Sequence, residues 1–339
     1  MKNLFDFATK ELSQDAFLRW LFENYNCENE DVKKVCEKIL SEFTGIKDFD
    51  IRKVSRLQTK AQFNKIDILV DFKYESRVFC VAIEDKVFSE EHSGQLTRYE
   101  QSINRYSDEL KRDYQCSDVT IKRIYYKTAK LSYTEKKRVE NSGWKIFDIE
   151  NIKNLFQGTD PINSEVLDYY IDHVLKVYKL FYCYETIPVT EWDKNYIPFT
   201  SYSYDLFKKY AVDISEKDCR TEIYQGKYAQ TFIQKNLSNN ITVELGLFFR
   251  PCGCTAWIKI WNTESGYKSL CLQREEIYRL CVRNIRINWN NKQRKNRIKI
   301  AKKDFTADVS YIEFNDWTEN CVKDYLDYVR IIESVPKLG

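Results

Sequence analysis

One short stretch of the chain joins an apolar run to three consecutive charged residues. Val78 to Ile83 is purely apolar, and Glu84, Asp85 and Lys86 follow it directly. A run of this kind predicts a strand that is buried on both faces of a sheet. Charged side chains are costly there unless they are paired or bind a metal ion. The stretch therefore limits the fold to a covered sheet with a polar site in one of its strands.

A second acidic residue, Asp67, interrupts the apolar segment of the preceding predicted strand. A short turn at residues 75–76 would pair the two strands and bring Asp67 beside Glu84. Side chains alternate across a strand, so Glu84 and Lys86 share one face while Asp85 points to the other. We therefore expect Asp67, Glu84 and Lys86 to form one cluster.

Two carboxylates that converge from adjacent strands form an oxygen-rich site for a hard cation. Mg²⁺ takes about six oxygen ligands, of which one or two are carboxylates and the rest water or substrate phosphate. Asp67 and Glu84 would supply the carboxylates, and the main-chain carbonyl of Asp85 would supply another oxygen. Lys86 would orient a water molecule and stabilise charge that develops on a phosphate. The pattern predicts hydrolysis of phosphodiester bonds with Mg²⁺, for which Mn²⁺ is a possible substitute.

Composition removes several other chemistries. The 339 residues include only two histidines, which argues against a histidine triad or a multi-histidine metal site. The nine glycines form no cluster that would make a phosphate-binding loop. The eleven cysteines are scattered, no apolar run is long enough for a membrane span, and the first residues do not resemble a signal peptide. We therefore expect a cytoplasmic protein with reduced thiols and no membrane partner.

The first part of the chain predicts an α/β domain. Helices and strands alternate in an order that is typical of a mixed sheet. All five prolines lie at or after Pro161, and residues 157–161 have turn chemistry, so we place a domain boundary at about residue 158. The predicted elements are helices Ser13–Tyr25 and Asn29–Phe43, strands Asp50–Thr59, Lys65–Phe72 and Val78–Val87, helix Gly94–Tyr114, and strands Val119–Thr128 and Trp144–Ile149.

Residues 159–339 predict an α+β domain. Tyrosines at helical spacing indicate a packed helix face rather than a ligand cage. They are Tyr169, Tyr170, Tyr178 and Tyr182. The predicted elements are helix Leu167–Tyr184, an antiparallel meander of Arg220–Gln234, Ile241–Arg250 and Thr255–Asn262, helix Arg274–Ile285, strand Val309–Phe314 and helix Thr318–Ser334.

Asp67 followed by the triplet Glu84–Lys86 resembles the D…(D/E)xK signature of the PD-(D/E)XK nuclease superfamily. Ile66 stands where the motif name has proline, a position that varies in the superfamily. The resemblance covers about residues 4–155. It implies a restriction-endonuclease-like αβββαβ core with a mixed central sheet, and a nuclease that retains the residues needed for activity.

Two further positions agree with this resemblance. Glu11, ahead of a Ser…Leu-x-Trp-Leu pattern, is similar to the acidic residue in the first helix of one uncharacterised bacterial branch. Gln95, in a Gln-Leu-x-x-Tyr segment, resembles the residue that begins the helix after the catalytic strand and holds the site or the attacking water. Structural alternatives remain open, because Glu11 also suits a helix N-terminus and Gln95 a solvated first turn. Glu84 and Lys86 would also suit a surface ladder of opposite charges.

A basic segment of the second domain is a candidate nucleic-acid contact. Residues 277–303 contain ten basic residues and no acidic one, whereas the net charge of the whole chain is only +3. Basic side chains neutralise phosphates and an aromatic ring stacks on an exposed base, but such a run is equally typical of a solvated loop. The candidate residues are Arg283, Arg286, Trp289, Lys292, Arg294, Lys295 and Arg297.

The leading hypothesis is a Mg²⁺-dependent nuclease that acts on DNA. One alternative is a nucleic-acid-binding protein that does not cleave. Another is a sensor–effector protein whose second domain gates the nuclease. The sequence leaves open whether the substrate is DNA or RNA, whether cleavage is internal or from an end, and whether the chain forms a homo-oligomer.

Overall fold

A computed structural model describes residues 3–7, 11–89, 94–158, 163–192, 194–210, 219–224, 227–237, 241–262, 297–306 and 309–334. The chain divides into two compact units, Met1–Lys179 and Leu180–Gly339. Each unit contains one five-stranded sheet in its described residues.

The first unit is built on a mixed sheet. Its elements are α1 (Glu11–Glu23), α2 (Glu30–Thr44), β1 (Val54–Phe63), β2 (Ile66–Tyr74), β3 (Arg77–Lys86), α3 (Gln95–Asp113), β4 (Val119–Lys127), α4 (Tyr133–Asn141), β5 (Lys145–Phe147), α5 (Ile149–Leu155) and α6 (Glu165–Tyr182). The strands lie in the order β1-β2-β3-β4-β5. β1 to β3 pair antiparallel, and β3 to β5 pair parallel. The predicted α/β fold with a mixed central sheet is confirmed.

The two faces of this sheet pack against different helices. On one face, apolar residues at helical spacing on α3, such as Ile103, form a core with Ala82 of β3. On the other face, Phe43 of α2 contacts Tyr126 and Phe147, with ring centroids 6.3 and 4.9 Å apart. Because both faces are covered, β3 is apolar from Val78 to Ile83, between the exposed Arg77 and its last three residues.

Several element ends differ from the sequence prediction. Ser13, expected as a helix cap, lies inside α1, which begins at Glu11. The strand predicted over residues 144–149 is shorter, because Asp148 caps α5 through a capping box. The sequence does not predict α4 and α5, which are short helices of 9 and 7 residues with too few turns for a clear periodic pattern.

Nearly all of α6 belongs to the first unit, which extends to Lys179. The predicted boundary near residue 158 would instead place this helix in the second domain. Tyr170 is buried and stacks on Phe17 of α1, with ring centroids 3.6 Å apart. Its hydroxyl lies 3.1 Å from the hydroxyl of Tyr126 in β4. The expectation of a packed tyrosine face is therefore confirmed for Tyr170, and the sheet against which it packs is the first one.

The second unit combines an antiparallel sheet with helices, as predicted. Its elements are α7 (Ile197–Tyr210), β6 (Cys219–Tyr224), β7 (Tyr228–Asn236), β8 (Ile241–Arg250), β9 (Gly253–Asn262), β10 (Arg297–Thr306) and α8 (Tyr311–Glu333). The strands lie in the order β10-β9-β8-β7-β6, and each neighbouring pair is antiparallel. Phe199 of α7 and Tyr325 of α8 belong to the same core as Val243 and Leu245 of β8.

Three predicted elements of this unit were not found as single elements of the predicted type in the described residues. The predicted strand Val309–Phe314 is wrong, because Ser310 caps α8 through a capping box and the helix begins at the next residue. The predicted strand Arg220–Gln234 is the hairpin of β6 and β7. The predicted helix Arg274–Ile285 lies outside the described residues.

Candidate active site

The hairpin of β2 and β3 places Asp67 opposite Glu84. The connection between the strands is two residues long, as the sequence predicted, and the antiparallel register continues to the pair Ile68 and Ile83. Asp67 and Glu84 occupy the next positions and therefore share a face of the sheet. The backbone N–H of Asp85 donates a hydrogen bond of 2.9 Å to Oδ2 of Asp67. The two predicted carboxylates thus come together at one end of the hairpin.

Glu84 is buried at the centre of this cluster. Its Oε1 accepts hydrogen bonds from Nζ of Lys86 and, at 2.7 Å, from Nε2 of Gln95. Nζ of Lys86 also donates to the main-chain carbonyl of Asp85 at 3.1 Å. Oε2 of Glu84 is buried and accepts no hydrogen bond from any residue that the structure describes. The cluster therefore contains a buried acceptor oxygen for which the described residues supply no donor.

The charges in the cluster depend on one another. Burial and the neighbouring carboxylate of Asp67 raise the pKa of Glu84 to about 8. Burial opposes the charged form of Lys86, but the charge of Glu84 and its hydrogen bond outweigh this effect and raise the pKa of Lys86. Lys86 is therefore cationic at neutral pH. A further cation between Asp67 and Glu84 would favour the charged form of Glu84.

The side chain of Asp85 points to the opposite face of β3, towards α1. Its Oδ1 accepts a hydrogen bond from Nε2 of Gln14, and the carboxyl group of Asp15 in α1 lies nearby. Burial and the neighbouring Asp15 raise the pKa of Asp85 well above its ordinary value. Burial and Asp67 raise the pKa of Asp15 to about 7. Asp85 is thus held from behind by α1 while its main chain lies beside the cluster.

α1 also brings Glu11 to the site. Oε1 of Glu11 accepts a hydrogen bond from the hydroxyl of Ser89, and both residues line the same cleft as Asp67. Gln14 and Asp15, which sequence reasoning missed, follow Glu11 by three and four positions. This spacing puts them on one helix face. The sequence analysis singled out Glu11 on this helix but did not use the spacing of Gln14 and Asp15.

Gln62 of β1 is a third residue that the sequence analysis did not identify. Its Nε2 donates a hydrogen bond of 3.2 Å to Oδ1 of Asp67. The contact arises because β1 and β2 form a hairpin in which Phe63 pairs with Ile66. No local pattern around Gln62 indicates this contact, since it depends on the register of the hairpin.

The cluster opens into a cleft of about 620 Å³. The candidate donors of the cluster are oxygen atoms. They are the carboxylate of Asp67, which lines the cleft, and the carboxylate of Glu84 and the carbonyl of Asp85, which are buried behind it. Within the described residues, no group of three or more His, Cys, Asp or Glu side chains is placed to hold a metal ion. Mg²⁺ accepts such a small protein set, because it keeps several waters or substrate oxygens. The donor chemistry and the unpaired oxygen of Glu84 fit a hard divalent cation. The residues that line the cleft are Glu11, Gln62, Asn64, Lys65, Asp67, Lys86, Ser89, Gln95, Arg98 and Tyr99.

Most of the predicted nucleic-acid contacts lie outside the described residues. They are Arg283, Arg286, Trp289, Lys292, Arg294 and Lys295. Arg297 is the first residue of β10, and its backbone pairs with Trp261 of β9. The basic segment is therefore not a loop throughout, since its last part forms a strand at one end of the second sheet.

A mixed sheet that brings Asp67, Glu84 and Lys86 together at one end of two neighbouring strands is the arrangement of a class of α/β nucleases. The family model of the PD-(D/E)XK nuclease superfamily matches residues 2–180. This is more than half of the chain, and the protein belongs to this superfamily. The match includes α6. No curated protein and no solved structure matches the chain significantly.

None of the helices in the described part of the chain combines the length and the apolar character that crossing a bilayer demands.

Proposed function

We propose that the protein is a nuclease that hydrolyses phosphodiester bonds in DNA with the help of a divalent cation, Mg²⁺ or Mn²⁺. One observation supports this proposal above the others. Asp67 faces Glu84 across the hairpin of β2 and β3, Lys86 donates to Glu84, and the cluster opens into a cleft. This is the residue set that metal-assisted hydrolysis requires when no histidine takes part.

In this proposal Asp67 and Glu84 hold the cation, together with the main-chain carbonyl of Asp85. When bound, the cation lowers the pKa of a water molecule and stabilises negative charge on the phosphate. The unpaired Oε2 of Glu84 is the oxygen that most needs such a partner. The hydrogen bonds to both oxygens of Asp67 orient its carboxylate before the cation arrives.

Lys86 supplies a fixed positive charge. Its ammonium group is nearly buried, donates to Glu84 and to the carbonyl of Asp85, and lines the cleft. From this position it orients the attacking water and stabilises charge on the phosphate. Gln95 holds Glu84 in place and is itself bonded to Tyr99.

Glu11 would act from the edge of the cleft. Its carboxylate already accepts a hydrogen bond from Ser89, and α1 holds it on the cleft wall. We assign it to a water molecule of the cation's outer sphere. The basic segment 277–303 would add contacts to the DNA backbone, because its ten positive charges have no acidic neighbour in the segment.

Cleavage of circular and linear DNA by the purified chain tests the proposal, with Mg²⁺, Mn²⁺ or EDTA present. We expect cleavage that EDTA abolishes and that Lys86→Ala lowers by roughly 100-fold or more. Lys73→Ala is the matched control, because Lys73 is an exposed lysine of β2 that does not line the cleft. Cleavage of the circle would identify an endonuclease.

Other outcomes would contradict parts of this proposal. Full metal-dependent activity of Lys86→Ala would remove Lys86 from the mechanism. No cleavage of DNA, with cleavage of RNA under the same conditions, would change the substrate. Binding that weakens with rising salt but ignores Mg²⁺, without cleavage of either nucleic acid, would favour a non-cleaving binding protein. Cleavage that appears only when the second unit is removed would favour a gated enzyme.

A further inference from the structure

The cleft is lined by a basic side chain, that of Lys65, which the proposed mechanism does not use. Lys65 lines it together with Asp67 and Lys86, and lies two positions before Asp67 at the tip of the hairpin of β1 and β2. Asn64, the preceding residue, lines it as well. The hairpin tip therefore forms one wall of the candidate active site.

The backbone at this tip has an unusual conformation. Phe63 pairs with Ile66, so Asn64 and Lys65 are the two residues of the turn. Their φ angles are 50° and 74°, and the φ of Gln62 is 52°. Two positive φ angles in a two-residue turn are the pattern in which glycine is favoured at the second position, since glycine has no Cβ. The chain instead places a lysine there, in a conformation that few residues with a side chain adopt.

Among the residues that the structure describes, none forms an ion pair with Lys65. The residue is exposed. Two other lysines of this unit are paired, Lys86 with Glu84 and Lys53 with Glu75. The two-residue turn restricts the backbone of Lys65 to one region, so the position from which its side chain extends is well defined. An exposed ammonium group beside a hydrolytic cluster suits an anionic group of the substrate.

We propose that Lys65 binds a backbone phosphate of the nucleic acid next to the phosphate that is cleaved. The inference rests on the proposed function and adds a substrate contact to the same site. A phosphate contact of this type fixes the register of the strand in the cleft and reads no base sequence. The contact therefore acts on substrate binding, whereas Lys86 acts on the chemical step.

Three variants of the full chain test this contact. Lys65→Gly removes the side chain and suits the positive φ of the turn, so it preserves the hairpin. Lys65→Arg retains the charge and serves as a rescue. Lys73→Ala removes an exposed lysine of β2 outside the cleft. Thermal unfolding of each variant checks the fold before kinetics and DNA binding in EDTA are measured over a range of salt concentrations.

We expect Lys65→Gly to raise KM by about 10-fold, with kcat little changed. The slope of log affinity against log salt should fall by about 0.9 for duplex DNA, which corresponds to one lost phosphate contact. Lys65→Arg and Lys73→Ala should resemble the wild type in both measurements.

An unchanged KM and salt slope in a folded Lys65→Gly protein would overturn the inference and leave the proposed nuclease intact. A fall in kcat at constant KM would also overturn it, because Lys65 would then act on the chemical step. A wild-type chain that neither cleaves nor binds nucleic acid would defeat the proposed function, and the inference with it.

Discussion

The backbone N–H of Asp85 donates a 2.9 Å hydrogen bond to Oδ2 of Asp67, beyond the last backbone pair of their two strands. Oδ1 of the same carboxylate accepts a hydrogen bond from Gln62. Asp67 is therefore held at both oxygens, one from the strand on each side. Such support orients a ligand before its cation binds, which lowers the cost of forming the complete site.

Removal of the Asp67 carboxylate should separate the role of its charge from the role of its position. We expect Asp67→Ala to lower kcat by roughly 100-fold or more, because the proposed cation ligand and the hydrogen bond to Asp85 are both lost. Asp67→Asn keeps an oxygen that can accept from Asp85 but has no charge. Its activity should recover partly at high Mg²⁺ or Mn²⁺, as measured by metal titration of the cleavage rate.

The control for these variants is Asp118→Asn, which removes an exposed carboxylate outside the cleft. It should match the wild type at every metal concentration. Metal dependence in Asp67→Asn that equals that of the wild type would show that Asp67 is not a cation ligand.

Sequence reasoning predicted the centre of the site because its signals are local. The charged triplet Glu84–Lys86 interrupts an apolar run, and the short connection at residues 75–76 permits only one simple pairing of the strands. The position of Asp67 follows from that pairing. The observed register is the predicted one, since the pair Ile68 and Ile83 puts Asp67 and Glu84 at the next positions.

The supporting residues could not be predicted in the same way. Gln62 contacts Asp67 only because of the register of a second hairpin, and Ser89 contacts Glu11 across many residues of chain. Asp15 carried a usable signal in its spacing from Glu11, but the sequence analysis did not use that spacing. Contacts made by tertiary packing leave no periodic pattern in the sequence.

Replacement of Gln62 should lower the affinity for the cation and leave the fold intact. Loss of its amide in Gln62→Ala frees one oxygen of Asp67, so we expect the apparent affinity for Mg²⁺ to fall by about 10-fold. Gln58→Ala is the matched control, because Gln58 is an exposed glutamine of the same strand outside the cleft. The measurement is the metal concentration at half-maximal cleavage. An equal value for the two variants would exclude a positioning role for Gln62.

The carboxyl pair Asp15 and Asp85 should make the first unit less stable as the pH rises. Burial and Asp67 raise the pKa of Asp15 to about 7, so the folded state keeps a proton that the unfolded state releases above pH 4. This stabilisation is complete below about pH 4 and is lost as the pH rises through about 7. Asp15→Asn cannot titrate at this position. Its free energy of unfolding in EDTA should therefore fall less than that of the wild type between pH 5 and pH 8.

Urea unfolding at both pH values measures this difference, and EDTA removes any linkage to bound cations. Asp118→Asn is again the matched control, since it removes an exposed aspartate of the same unit. It should retain the pH dependence of the wild type. If Asp15→Asn loses as much stability as the wild type over this range, the pair does not hold the proton in the folded state.

The buried ion pair of Lys127 and Glu135, which lies beside Lys86, should be required for the stability of the first unit. Nζ of Lys127 lies 2.8 and 2.7 Å from the two carboxylate oxygens of Glu135, and Lys127 is beside Lys86 in the parallel register of β3 and β4. Glu135→Gln would leave a buried cation without a counterion, which should cost about 3–5 kcal/mol in urea unfolding. Glu140→Gln, which breaks an exposed pair on the same helix, should cost at most about 1 kcal/mol. Lys127→Met combined with Glu135→Leu should cost less than Glu135→Gln alone, and an equal or greater cost would show that the uncompensated charge is not the cause.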